Sequence, residues 1–357
     1  MGVPDTFKAA VVPSPGKQHV IVDRSLPPLQ SGEVAIKITA TSINPIDWKM
    51  RDHEVFITDY PAVLGSDAAG EIAAIGPGVL NFSIGERVFF QGIIGNYNAS
   101  TFQQYAKIDA ALVAKTPSNI SDDQASGIML ASLAVLTAYY DNTGHGLPAP
   151  WDNGGDKIGN GAVIVIIGGS SSMGQYAIQM ARLSGFSQII TNSNPAHKDY
   201  LQKLGATVVL GREATADDFA ATIGDNVPLD FILDTISAKS TRELSVGIVK
   251  AVKSTKEALT KIVVVLPEIL DFENFDAQGE SKVTLPRIIG LGSVPSLRYL
   301  SEPFAKHLGG DDGYIARGLF EPNRPVVVPG GLAGIEAALA KNKKGVSGEK
   351  VVIRPFE

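Results

Sequence analysis

The chain has 357 residues, 44% hydrophobic and 19% charged, a globular mixture that excludes a coiled coil, a collagen-like repeat and a long disordered tail. At about 150 residues per domain the length predicts two domains. Lys and Arg number 31 against 37 Asp and Glu, a net charge of −6, and the densest basic group, Lys341 to Lys344, falls where a helix should end, so nucleic-acid binding is not expected.

The cysteine count is 0, which removes disulfides, thiolate metal sites, iron–sulfur clusters and cysteine nucleophiles. Residues 1–10 show no basic stretch followed by an apolar one, so no secretory signal is visible and a cytoplasmic location is expected. On that expectation the N-x-Ser triplets at Asn81, Asn98 and Asn119 carry no glycosylation meaning.

Up to about residue 115 the chain reads as short apolar segments separated by turn residues, at 9–12, 20–22, 34–40, 69–75 and 87–90. This spacing predicts a mainly β domain, a barrel or sandwich. The uncharged run 124–140 approaches membrane-spanning length, but it contains Gln124, Ser126, Ser132 and Thr137 and lacks basic flanks, so it predicts a buried helix. Residues 141–161, with six Gly, three Asn and two Pro, predict an unusually long loop.

Beyond it, strand-like runs at 163–167, 188–191, 207–210, 231–234 and 262–266 alternate with helical patterns at 174–184, 196–204, 216–223 and 239–252. Read as successive β-then-α units, they predict a doubly wound parallel sheet. A Gly/Pro-rich stretch at 308–329, a helix at 334–341 and a strand at 350–353 return the chain to the first domain, because a lone helix and strand form no domain of their own.

The first of these strands, five apolar and mostly β-branched residues, suits the centre of a covered parallel sheet. It runs into Gly168-Gly169-Ser170-Ser171-Ser172-Met173-Gly174, where the chain must turn into a helix. A helix start offers N–H groups and partial positive charge, and glycines let the backbone approach a pyrophosphate, so the turn is a candidate dinucleotide site. The spacing is G-G-x-x-x-x-G and not the strict G-x-G-x-x-G, which leaves a tight turn closing the sheet as the bland alternative. No G-x-x-x-x-G-K-[ST] and no G-x-S-x-G is present, so neither an ATP loop nor a hydrolase elbow is expected.

Where an NAD site places Asp or Glu at the end of the second strand, this chain has Asn192, Ser193 and Asn194. Ser193 with His197, Lys198 and Arg212 suits a 2′-phosphate, because hydroxyl and cationic donors match a dianion and a carboxylate repels it. The expected cofactor is NADPH. Lys198 also reads as one charge on a solvated helix face.

Taken together, these residues resemble the medium-chain dehydrogenase/reductase superfamily. Asn44-Pro45-Ile46-Asp47 is similar to its N-P-x-D segment, and residues 60–70 with Gly85-Glu86-Arg87-Val88 are similar to its P-x-V-L-G-x-D-x-A-G and V-G-D-R-V block. The glycine turn, Ala177-Ile178-Gln179, Leu204-Gly205-Ala206 and Ser347-Gly348-Glu349-Lys350-Val351-Val352 extend the likeness over essentially the whole chain. It implies an α/β protein: a GroES-like, β-barrel-type catalytic domain, residues 1–130 and 301–357, interrupted by a doubly wound parallel-sheet Rossmann domain, residues 131–300.

Alcohol dehydrogenases of that superfamily hold zinc with Cys and His, with G-H-E where this chain has Gly65-Ser66-Asp67. With no cysteine, and with histidines at 19, 53, 145, 197 and 307 in no metal-like spacing, no metal is expected, and alcohol oxidation through a Lewis acid is disfavoured. The zinc-free branch holds quinone oxidoreductases, alkenal double-bond reductases and enoyl reductases. The chain resembles in particular the fungal trans-acting enoyl reductases that serve polyketide synthases, through residues 44–50, the Gly146-Leu147-Pro148-Ala149-Pro150 insertion and residues 181–185. It departs from them at Gly211-Arg212, where an aromatic residue is usual, so Arg212 would stack on the adenine instead.

The resemblance implies NADPH-dependent reduction of the C=C of an α,β-unsaturated carbonyl or enoyl thioester. A quinone oxidoreductase, and a non-catalytic dinucleotide-binding protein, remain as alternatives. It places Asn44, Ile46, Asp47, Trp48 and Lys49 at the cofactor, with Leu266 and Pro267 beside the nicotinamide and Val346 and Ser347 closing over it. Ser132, Tyr139, Gly290, Leu291, Gly292 and Ser293 fall at the substrate. Lys49 is the candidate donor to cofactor or carbonyl and Thr137 the group that orients an amide or substrate; the alternatives are an exposed lysine at a helix start and a threonine bonded back within its helix. Tyr139, Tyr140 or solvent would supply the α-carbon proton. The expected partners are a small unsaturated carbonyl compound or acyl thioester and a carrier domain of a polyketide synthase, with no membrane, the protein itself being a monomer or homodimer.

Overall fold

The computed structural model of the chain describes residues 2–225, 227–252, 260–265, 283–284 and 286–357. Internal contacts divide the chain into two units, one of residues 1–130 and 291–357, the other of residues 131–290. The return expected at 301 thus falls at 291. The reason is local: within the first unit the peptide of Gly292 is bonded on one side by Gln91 and on the other by Ser301.

The first unit opens with β1 (Phe7–Val12), β2 (Val20–Arg24), β3 (Glu33–Ser42) and helix α1 (Pro45–His53). There follow β4 (Ala62–Val63), β5 (Ala68–Ile75), β6 (Arg87–Phe90), β7 (Tyr105–Asp109) and β8 (Val113–Lys115). β1 pairs antiparallel with β2 and β4; β3 pairs antiparallel with β5 and β7, and β6 and β8 extend that second sheet. Val34, Ile36 and Ile38 alternate along β3 and share one core with Ile72, Val88 and Phe90, as expected of strands with one buried row.

The run read as a single helix is broken in two, α2 (Asp122–Ala125) and α3 (Met129–Tyr140). Ser121 caps α2 with a box completed by Gln124. The break falls where Gly127 passes the Lys350 side chain so closely that a Cβ would stand 2.7 Å from Lys350 Cγ. Among the described residues no helix is long and apolar enough to cross a membrane.

The second unit alternates strand and helix: β9 (Val163–Ile167), α4 (Ser172–Leu183), β10 (Gln188–Ser193), α5 (Lys198–Leu204), β11 (Val208–Gly211), α6 (Ala216–Ile223), β12 (Leu229–Asp234), α7 (Lys239–Ala251) and β13 (Thr260–Val265). β14 (Val283–Thr284) and β15 (Arg287–Ile288) pair with β13. All these pairings are parallel and run β11-β10-β9-β12-β13, the doubly wound order with β9 at the centre. Val163, Val165 and Ile167 pack with Phe219, Ile223 and Ile248 of α6 and α7, so the alternating apolar residues of one strand meet two helices.

The chain re-enters the first unit through α8 (Arg298–Leu308), β16 (Arg324–Val327), α9 (Ile335–Lys344) and β17 (Glu349–Ile353). β17 pairs antiparallel with β3 and parallel with β16, which ties the C-terminal segment into the sheet of β3, β5, β6 and β8. α8 and β16 escape the sequence pattern because α8 carries Pro303 inside it and β16 has only two adjacent valines. The helix is held by Leu300, Phe304 and Leu308, buried at helical spacing.

Candidate active site

In the second unit, β9 is buried along its whole length and is followed by Gly168, whose φ of 82° is left-handed. A Cβ on Gly174 would lie 2.3 Å from the Gly168 carbonyl oxygen, so only glycine lets the first turn of α4 sit against the turn that precedes it. Ser171 caps the helix: its Oγ accepts the Gly174 N–H at 2.9 Å and is hydrogen-bonded to Thr235 Oγ1 at 2.9 Å. The cap takes one of the N–H groups that a helix start leaves without an intrahelical acceptor, and Ser170, Ser172 and Met173 carry the rest of the turn.

Sequence reasoning missed Asn192, which braces this turn. Its Oδ1 accepts the Gly168 N–H at 2.9 Å, its carbonyl accepts the Gly169 N–H at 3.1 Å, and its Nδ2 donates to the Arg212 carbonyl at 3.4 Å. One buried side chain therefore joins the carboxyl ends of β9, β10 and β11. A helix start at the carboxyl end of a central parallel strand is where this sheet type binds phosphates.

Ser193, next along β10, is 3% exposed, and its Oγ has no hydrogen-bond partner among the described residues. A buried hydroxyl without a partner is costly, so it marks a place where a polar group belongs. The next residue, Asn194, lines a cavity of about 940 Å³ together with Pro195, Gly211, Arg212, Glu213 and Asp218, among others. Arg212 thus reaches the cavity, whereas His197 and Lys198 stand at the start of α5 outside its lining. Turn, helix start, orphaned hydroxyl and guanidinium fit a dinucleotide. Leu266 and Pro267 lie outside the described residues.

In the first unit, α1 begins with Asn44 as cap, Pro45 in its first turn and Asp47, whose Oδ2 accepts the Asn44 N–H at 2.7 Å. Asp47 is fully buried, and Ser66 Oγ donates to its other oxygen at 3.3 Å. Asp67, also fully buried, accepts the Leu130 N–H at 3.2 Å and lies 3.5 Å from Lys350 Nζ, which donates to Asn44 Oδ1 at 2.5 Å. Burial pushes the Asp47 carboxyl up to about 7 and that of Asp67 up to about 6, Lys350 opposing the rise in both. Neither Ser66, Asp67 nor Lys350 carries a sequence signal beyond the family likeness; the strand pairing of β17 brings them together.

On α1, Ile46 and Trp48 pack partly against the core that contains Ile43 and Met50, as does Val346, whereas Ser347 is exposed. Trp48 Nε1 donates to Asn342 Oδ1 at 3.1 Å. Lys49, half-buried, holds its Nζ 5.6 Å from the centre of the Trp48 ring, and Lys343 stands 5.1 Å from it. Among the described residues no three His, Asp or Glu side chains gather as metal ligands.

Along α3, Ser132 is fully buried and Thr137 Oγ1 donates to the Leu133 carbonyl at 2.9 Å, the back-bonded alternative. Tyr139, expected at the substrate, is instead turned into the packing of its own unit: fully buried, its hydroxyl donates to the Ala177 carbonyl at 3.1 Å, and burial raises it well above the ordinary phenol range. Tyr140 is likewise engaged, 2.8 Å from Ser184 Oγ, so neither phenol is presented as a proton donor. Gly290 lies against the Ala134 backbone. In the first unit, Gly292 donates to Gln91 Oε1 at 2.9 Å and accepts from Ser301 Oγ at 2.6 Å, with Leu291 and Ser293 half-buried on either side.

The alcohol dehydrogenase GroES-like domain family matches residues 30–118. Over 363 residues the chain is 31% identical to the trans-enoyl reductase tndF of Aspergillus flavipes, covering 97% of this chain and 98% of that protein. The trans-enoyl reductase himH of Aspergillus japonicus is 29% identical over 90% of this chain and 89% of its own length. The fold matches the crystal structure of CurK enoyl reductase with a TM-score of 0.73 at 17% identity, over 98% and 99% of the two chains, a likeness of fold alone. The chain belongs to the medium-chain dehydrogenase/reductase superfamily and is homologous to fungal trans-enoyl reductases.

Proposed function

We propose that the protein is an NADPH-dependent, metal-independent reductase that delivers hydride to the C=C of an α,β-unsaturated carbonyl compound or enoyl thioester. The observation that carries this reading is the Gly168–Gly174 turn, braced by Asn192, with the buried Ser193 hydroxyl left without a partner among the described residues one position further along β10. When bound, the dinucleotide supplies the hydride. The start of α4 holds its diphosphate, and Asn192 keeps that turn in place.

Ser193 and Arg212 recognise the 2′-phosphate, a hydroxyl and a cation against a dianion. Because Glu213 and Asp218 line the same cavity, the preference for the phosphorylated coenzyme rests on Arg212. His197 and Lys198 contribute positive charge at the start of the next helix.

Lys49 donates to the cofactor or to the substrate carbonyl; a preorganised donor at such an oxygen contributes about 3 to 4 kcal/mol. Thr137 has spent its proton on Leu133, so its oxygen acts toward any ligand only as an acceptor, suited to an amide N–H. With both α3 tyrosines engaged, solvent delivers the α-carbon proton. Metal independence is supported by the donor set: Ser66 is bonded to Asp47, and the ammonium of Lys350 already faces Asp67.

The likeness to trans-enoyl reductases over nearly all of both chains supports an enoyl compound as substrate. An acyl thioester delivered on a carrier domain of a polyketide synthase is the form of that substrate that we propose. A panel of enals, enones, quinones and enoyl thioesters assayed with NADPH and NADH tests the reading. Oxidation of NADPH by enoyl thioesters or enones, undiminished by chelators, is expected. Turnover of quinones alone would replace it with a quinone oxidoreductase, and no turnover with any of them would leave a dinucleotide-binding protein.

A further inference from the structure

Beneath the first turn of α1, two fully buried carboxylates, Asp47 and Asp67, share one buried cation, Lys350. With all three charged, the cluster holds one uncompensated negative charge out of water, which favours retention of a proton. Asp47 is the carboxylate that makes no direct ion pair among the described residues: it is bonded to the Asn44 N–H and to Ser66 Oγ. The Ser66 hydroxyl suits both states, donating to the ionised carboxylate and accepting from the protonated one.

We propose that this cluster is a proton-linked latch on α1, in which Lys350 is a positioning residue tying the Asn44 cap to Asp67, and Asp47 tightens or loosens the first turn on which Trp48 and Lys49 stand. The ionised carboxylate is the better acceptor for the Asn44 N–H and the better partner for the helix start. Loss of a proton to solvent therefore closes the latch, and its uptake loosens it. Coupling of this movement to turnover rests on the proposed function; the latch itself does not.

Other charged groups stand on or against α1. Lys49, Arg51, Asp52 and His53 belong to it, while Glu336 and Lys343 of α9 engage its C-terminal half through Arg51 and Asp52, and His19 is paired with Glu336. His53 matters most, because its ring lies 6.5 Å from that of Trp48.

The test is the emission of Trp48 from pH 5 to 9 in full-length protein carrying Trp151→Phe, which leaves a single tryptophan, and His53→Gln, which removes the neighbouring imidazole. A one-proton transition near neutrality is expected, and Asp47→Asn should abolish it. Lys350→Met should move it up by about one to three pH units, and adding Asp67→Asn should bring it back. If Lys350→Met does not fold by circular dichroism, Asp47→Asn decides alone. A flat trace in the parent, or a transition that survives Asp47→Asn, overturns the latch. No coenzyme is present in this measurement, so a latch can fail while the reductase reading stands, and the converse is seen in the substrate panel.

Discussion

The side-chain oxygen of Asn192 accepts the amide N–H of Gly168 at 2.9 Å, fastening the end of β10 to the turn that leaves β9. Asn192→Ala leaves that amide without its partner, a cost of about 1–3 kcal/mol. A lower Tm is expected, together with coenzyme binding weakened by about tenfold, read by fluorescence titration. Unchanged affinity would separate the brace from the binding turn.

Coenzyme preference is expected to follow Arg212. A hydrogen bond to a charged group contributes about 1.5–3 kcal/mol, so Arg212→Ala should lower kcat/KM for NADPH by roughly 10- to 100-fold and leave NADH nearly unchanged. Equal losses with both coenzymes would move 2′-phosphate recognition elsewhere.

Two buried groups set opposite slopes of stability with pH. Asp47 is held up to about 7 by burial, so its contribution is fully present below the ordinary carboxylate range and is lost as pH rises through about 7. Asp47→Asn should remove up to about 1.4 kcal/mol per pH unit of that slope between pH 4 and 7, measured by urea unfolding. His145 behaves in reverse: both ring nitrogens are buried, and burial, helped by Lys261, pushes it down to about 3. Its contribution is present above pH 6.5 and lost as pH falls toward about 3, so His145→Leu should be the more acid-resistant protein.

Tyr139 and Lys49 make a contrasting pair. Because the Tyr139 hydroxyl only satisfies the Ala177 carbonyl, Tyr139→Phe should cost about 1 kcal/mol of stability and leave kcat/KM almost unchanged. Lys49→Ala should keep the Tm and lower kcat/KM with NADPH by roughly 100-fold, the worth of a donor of about 3 kcal/mol. A slow Tyr139→Phe enzyme would return the phenol to the chemistry.

Local pattern alone determined the alternation of strand and helix after residue 162 and the glycine turn, because each depends on residues within a few positions of one another. The same holds for Ser193, a small residue at the end of a strand where an NAD site carries a carboxylate. Only the tertiary structure decided what Asn192, Tyr139 and Lys350 do. Asn192 gains its role when parallel pairing aligns β9, β10 and β11, and Tyr139 loses its expected one when α3 packs on α4. Lys350 lies more than 280 positions from Asp67, and no periodicity links them. Their meeting follows from β17 pairing with β3, and what a buried charge does is set by the neighbours that fold around it.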